Sequence, residues 1–174
     1  MRRRELIWLL GALSSLACAA GVGPAQSAGA LTSRRGERRS FVFPRPNGGF
    51  VSSKSVAGRA TALVFITTFD LASQALAQRL DDVLRSHKPR ANGVGVVLEP
   101  PKYAEFAQAF ADSLSLSYPI AMADQAALRG AGAFGDIRAV PVLVVIDWEA
   151  REVARFAGVP SVEQISDALA SGAR

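Results

Sequence analysis

Sulfur and imidazole are nearly missing from this sequence: its 174 residues contain one cysteine, Cys18, and one histidine, His87. Nothing after residue 18 can therefore build a disulfide, a cysteine nucleophile or a thiolate metal site, and one histidine does not make a metal site. No metal or other cofactor is expected. A basic surplus is missing too, once the net charge of +5 is divided along the chain. Arg2, Arg3 and Arg4 against Glu5 account for +2, and Arg34, Arg35, Arg38 and Arg39 against Glu37 for +3. From Ser40 onward 13 basic residues face 13 acidic ones, so the domain shows no basic stripe and no nucleic-acid partner is expected. There is no internal repeat. No nucleotide-type glycine loop follows the first central strand, which argues against a doubly wound cofactor fold.

What is present begins with a basic start, Met1-Arg2-Arg3-Arg4-Glu5, and an apolar run from Leu6 to Ala20. The run is shorter than the ~20 residues of a spanning helix and ends in small residues, the pattern of an export leader. Cleavage after Ala17-Cys18-Ala19 or near Ala25-Gln26-Ser27 is expected, with an uncleaved anchor reaching Val22 as the alternative. Cys18 has two readings: an apolar leader residue removed with the rest, or the lipidated cysteine of a lipoprotein. The second departs from the usual pattern, because Ser15 stands where such signals carry Leu and Leu16 is one place nearer. Residues 1–20 are thus read as a leader, 21–40 as a Gly/Ala/Arg-rich tether with too little apolar side chain to fold, and 41–174 as one α/β domain. The protein is expected outside the cytoplasm, periplasmic or anchored facing the periplasm. Membrane contact is expected only through the leader, a lipid or the basic tether.

Within the domain, Phe41-Val42-Phe43-Pro44, the turn Asn47-Gly48-Gly49 and Phe50-Val51 predict an opening hairpin. The apolar run Thr61 to Thr67 predicts a central strand covered on both faces, and Gly93 to Leu98 a second. Between them Leu71, Ala75, Leu76, Leu80, Val83 and Leu84 recur at helical spacing after Asp70, predicting a helix to Ser86. Asp81-Asp82 reads as its solvated face, and His87 follows at its C-terminus, where cations suit the dipole. Pro100-Pro101 favours a helix start, with Tyr103, Phe106, Phe110 and Leu114 along one core-facing stripe. A short strand at Tyr118 to Ala121 and a short helix capped by Asp124 come next. Val142 to Asp147 and Glu152 to Phe156 predict a hairpin around Trp148, which should pack on the turn. Ser161 and Gln164 form a capping box that opens a last helix to Ala170. The sum is a mixed central sheet with flanking helices and an N-terminal β-hairpin.

The order and spacing of Phe41-Val42-Phe43-Pro44, Asn47-Gly48-Gly49-Phe50, Gly58-Arg59, Leu63-Val64-Phe65-Ile66, Tyr118-Pro119-Ile120, Asp124, Ala139-Val140-Pro141, Ile146-Asp147 and Gly158 resemble the exported thioredoxin-like proteins of the TlpA/ResA and AhpC/TSA redoxin group. The resemblance implies a thioredoxin-like fold. It also implies that Trp-Cys-x-x-Cys should open the first helix, where this chain has Phe69-Asp70-Leu71-Ala72-Ser73. Both redox cysteines are absent, Asp70 and Ser73 marking their vestigial positions. Thiol–disulfide exchange needs a thiolate to attack and a second thiol to resolve the intermediate, and neither a carboxylate nor a hydroxyl does this. Asp70 suits the position for a physical reason: a helix start leaves N–H groups unpaired and favours negative charge. No catalytic residue is assigned. Thr67-Thr68 precede the loop and could bond backbone groups there.

Pro141 stands where the resemblance implies a cis-proline beside the active loop, leaving the Val140 backbone free to pair with an extended peptide. Phe69, Asp70, Val140 and Pro141 are therefore the peptide-binding candidates. The expected function is an exported thioredoxin-fold module without redox cysteines that binds a protein or peptide or acts as a scaffold. The alternative is a redoxin-type oxidoreductase or antioxidant protein using non-standard chemistry or a thiol supplied in trans.

Overall fold

A computed structural model describes residues 30–31 and 37–173; the leader, its Cys18 and most of the tether lie outside the described residues. The strands are β1 (Ala30–Leu31), β2 (Val42–Pro44), β3 (Phe50–Ser52), β4 (Thr61–Ile66), β5 (Asn92–Val97), β6 (Ile120–Met122), β7 (Val142–Ile146) and β8 (Glu152–Ala157). The helices are α1 (Leu71–Ser86), α2 (Ala104–Ser113), α3 (Gln125–Leu128) and α4 (Val162–Gly172), with a 3₁₀ turn at Pro101–Tyr103. Six strands form one mixed sheet in the order β1-β8-β7-β4-β5-β6, and β2 pairs β3 in a separate antiparallel hairpin. β4, β5 and β6 run parallel, whereas β7 is antiparallel to both β4 and β8.

Every residue of β4, β6 and β7 is buried, and so is every residue of β5 but the first, as continuous apolar runs require in a sheet covered on both sides. The alternation of strand side chains divides the core into two layers. Ala62, Val64 and Ile66 of β4 pack with Leu76 and Leu80 of α1, Phe110 of α2 and Ile165 and Leu169 of α4. Leu63 and Phe65 point the other way, onto Phe41 and Phe43 of the opening hairpin and Phe134 of the loop after α3. Phe134 packs 5.3 Å from the Phe65 ring and 5.4 Å from that of Phe41. At Gly93 a Cβ would come within 2.4 Å of Leu84 Cδ1 of α1 and 3.0 Å of the Tyr118 ring, so a larger residue there would require the Leu84 side chain to move and Tyr118 to give slightly.

Three expectations change on folding. Arg38 and Arg39, assigned to the tether, belong to the domain: Arg38 bridges to Arg151 and pairs with Glu149 at 2.5 Å, and Arg39 reaches Glu152 at 3.3 Å. β1 likewise lies in the segment read as tether and pairs with β8, Ala30 opposite Phe156. A composition too polar to build its own core can still add a strand to the edge of an existing sheet, where main-chain bonds suffice. Asp81 is not part of a solvated face. It is 5% exposed and accepts from the Ser117 backbone N–H at 2.7 Å, the Ser117 hydroxyl at 2.5 Å and Arg85 at 2.7 Å, while Asp82 stays exposed. Burial pushes its carboxyl up, but these donors outweigh burial and hold it below the usual range. Phe106, expected in the core, is 54% exposed and Tyr103 only half-buried. The face of α2 that meets the core is Ala107, Phe110 and Ala111, whose small residues permit close approach and leave Phe106 on the rim.

Candidate functional site

The segment between β4 and α1 is held by side chains at both ends. Asp70 caps α1 from an extended conformation, φ −112° and ψ 125°, as a helix start requires. Its Oδ2 accepts from the Ser73 backbone N–H and from the Ser73 hydroxyl, each at 2.8 Å, and its Oδ1 accepts from the Ala72 N–H at 3.3 Å. Ser73 is wholly buried and accepts in turn from the Thr67 N–H at 3.3 Å. The Ser73 hydroxyl holds the Asp70 carboxyl below the usual carboxylate range, burial opposes it, and the Ser73 and Ala72 backbone N–H groups add to the lowering. The positions where the resemblance puts two thiols are thus joined by a short closed network of carboxylate and hydroxyl.

Glu99, which sequence reasoning passed over, braces the same segment from just beyond the end of β5. It is 6% exposed and accepts from the Thr68 N–H at 2.6 Å and from the Thr68 hydroxyl at 2.9 and 3.1 Å. Thr68 therefore bonds a side chain, not the backbone groups expected for it. An acidic residue directly after a buried apolar strand and before Pro100-Pro101 was the available signal.

The Val140–Pro141 peptide bond is cis. β4 and β7 pair up to Phe65 with Val142, so Pro141 and Val140 continue at the level of Ile66 and Thr67, at the same end of the sheet as Asp70. The Pro141 carbonyl accepts from the Gly158 N–H at 2.8 Å; among the described residues the Val140 N–H and carbonyl have no main-chain partner. Phe69 is 74% exposed, and its ring lies 6.4 Å from Tyr103 and 6.3 Å from Phe106, themselves 6.0 Å apart. Lys102 sits 5.0 Å over the Tyr103 ring. Three aromatics from two segments thus form a partly exposed cluster at the loop, two of which, Tyr103 and Phe106, aromatic periodicity alone had assigned to the core.

The remaining candidates do not join the site. His87 caps α1 at its far end, donating its backbone N–H to the Val83 carbonyl, and its buried Nε2 has no partner among the described residues. Trp148 is about half exposed in the β7–β8 turn. No group of three or more metal-ligating side chains occurs among the described residues.

No protein-family model and no curated protein matches the chain. Solved structures do. A thiol:disulfide interchange protein of the thioredoxin family from Chlorobium tepidum superposes with a TM-score of 0.64 at 21% identity, over 82% of this chain and 99% of that one. A DsbF homologue from Corynebacterium diphtheriae gives 0.66 at 17% identity, over 86% and 96%. A secreted Mycobacterium tuberculosis disulfide oxidoreductase homologous to DsbE gives 0.61 at 16%, over 75% and 95%. The fold is therefore thioredoxin-like, and its structural neighbours are disulfide oxidoreductases of the Dsb type.

Proposed function

We propose that this chain is an extracytoplasmic thioredoxin-fold module that binds an extended segment of a protein partner without thiol chemistry. One observation carries the reading. At the loop, the Asp70–Ser73 network occupies the helix start, while at the same end of the sheet the Val140 main chain has no main-chain partner among the described residues, and the exposed Phe69 and Phe106 rings flank a half-buried Tyr103. Unpaired N–H and C=O groups at a strand end favour strand addition, and neighbouring aromatics supply apolar area for the side chains of the added strand. The leader-like start supports export, as does the secreted status of the Mycobacterium tuberculosis neighbour.

Two measurements test this. Panning a random peptide library on the full chain should enrich apolar or aromatic sequences, and retention should fall at least tenfold in Phe69→Ser/Phe106→Ser. Both side chains are exposed, so the variant should melt as the wild type does. Equal retention by variant and wild type would remove the binding face. Insulin reduction with the repurified protein should give no turnover, and sustained turnover would overturn the non-redox reading.

A further inference from the structure

At the end of α1 remote from Asp70, about 24 Å away for a 16-residue helix, lies a cleft of about 730 Å³. Apolar side chains, Val51, Leu84 and Val94 among them, line part of it, and Arg45, Arg85, Lys88 and Arg90 line it as well. No Asp or Glu lines it. Arg85 is already held by Asp81, but Arg45, Lys88 and Arg90 form no ion pair among the described residues. Arg90 also borders a second cleft that contains Trp148 and Arg59, another cation without an ion pair among the described residues.

The clustering is not forced by composition, since basic and acidic residues balance at 13 each from Ser40 onward. Like charges gathered at one end of a neutral domain repel one another, and a concave, partly apolar wall strengthens the field they share. That arrangement is unfavourable empty and favourable around an anion. Two guanidinium groups, planar forks that match tetrahedral and planar oxyanions, and one ammonium together suit a group of charge near −2.

We propose that this cleft is a binding site for a phosphate-class oxyanion, separate from the peptide-binding face. His87 lines the cleft and is the one histidine of the chain, so its ring signals in an NMR spectrum of the full-length protein report on this place without ambiguity. Titration with inorganic phosphate should move them saturably, and sodium chloride at matched ionic strength should not. Arg90→Glu should weaken the phosphate response at least tenfold. Arg129→Glu, the same charge change at an exposed residue outside the cleft, should leave it unchanged. Vesicles of phosphatidylglycerol in phosphatidylcholine identify the source. A His87 response at the same headgroup concentration assigns the oxyanion to a lipid, and no response assigns it to a free phosphate ligand. The proposal is overturned if chloride moves the signals as phosphate does, or if both variants weaken binding equally. Neither result touches the peptide-binding reading, whose test uses Phe69 and Phe106.

Discussion

Replacing Asp70 by alanine tests whether the loop is held by the carboxylate–hydroxyl network. The change removes the acceptor of two backbone N–H groups at the start of α1, a capping loss of about 0.5–2 kcal/mol. It also strips the acceptor from the Ser73 hydroxyl, on a residue with no exposed surface, which costs about 1–3 kcal/mol more. Together these come to about 3 kcal/mol. With a urea dependence of about 2 kcal/mol per molar, the unfolding midpoint should fall by roughly 1.5 M. Asp70→Asn keeps one oxygen acceptor and ranks with Asp as a cap, so it should lose clearly less. The two also separate by pH. The folded-state pKa of Asp70 is lowered, so the stability its charge contributes is fully present above the unfolded value of ~3.9 and is lost as pH falls through the lower folded value. The gap between wild type and Asp70→Asn should hold steady from neutral pH to about 5 and close below about 4. Chemical unfolding of the three proteins at several pH values measures this. A loss below about 0.5 kcal/mol for Asp70→Ala, the range of an ordinary surface substitution, would falsify the network's role, as would a gap that widens in acid.

Asp70→Cys combined with Ser73→Cys should yield a protein that cycles between dithiol and disulfide, read by thiol titration and by the mass of two hydrogens lost. Closing so short a loop offers about 2 kcal/mol, enough to offset the lost cap, and the helix start should lower the first thiol below ~8.5. A folded double variant that resists oxidation would show that these two positions do not hold a redox-loop geometry. Asp81→Ala should destabilise by about 2–3 kcal/mol, because Ser117 loses a charged acceptor at both its N–H and its hydroxyl; a neutral effect on the thermal midpoint would contradict this. Glu99→Ala should cost about 1–3 kcal/mol and speed hydrogen exchange at the Thr68 amide, the group it leaves unpaired. Unchanged exchange there would mean that Glu99 does not brace the loop.

From β2 onward the elements themselves were legible in the sequence because their causes are local. Buried strands show as apolar runs, α1 shows as a 3.6-residue repeat, and its start shows as Asp70, whose partners Ala72 and Ser73 lie within three residues. The capping box of Ser161 and Gln164 is local in the same way, and both of its bonds form. The missing redox pair was equally plain, since no cysteine follows Cys18 and a residue type absent from the domain needs no structure to exclude its chemistry.

What tertiary structure alone decided is the environment of each polar and aromatic side chain, because the partners are distant in sequence. Glu99 meets Thr68 across 31 residues, Asp81 meets Ser117 across 36, and Arg38 meets Glu149 across 111. No periodicity marks such pairs, so a buried, fully bonded Asp81 and a solvated one look alike in the chain. The aromatic stripe misled for a related reason. Helical spacing puts Phe106 and Phe110 on adjoining positions of α2, but only the packing of Ala107 and Ala111 against the core sets which edge of that stripe faces water. From β2 onward local sequence set where the helices and strands begin and end; pairing and close packing between remote segments added β1 to the sheet edge and decided which residues became core, brace, aromatic cluster or cationic cleft.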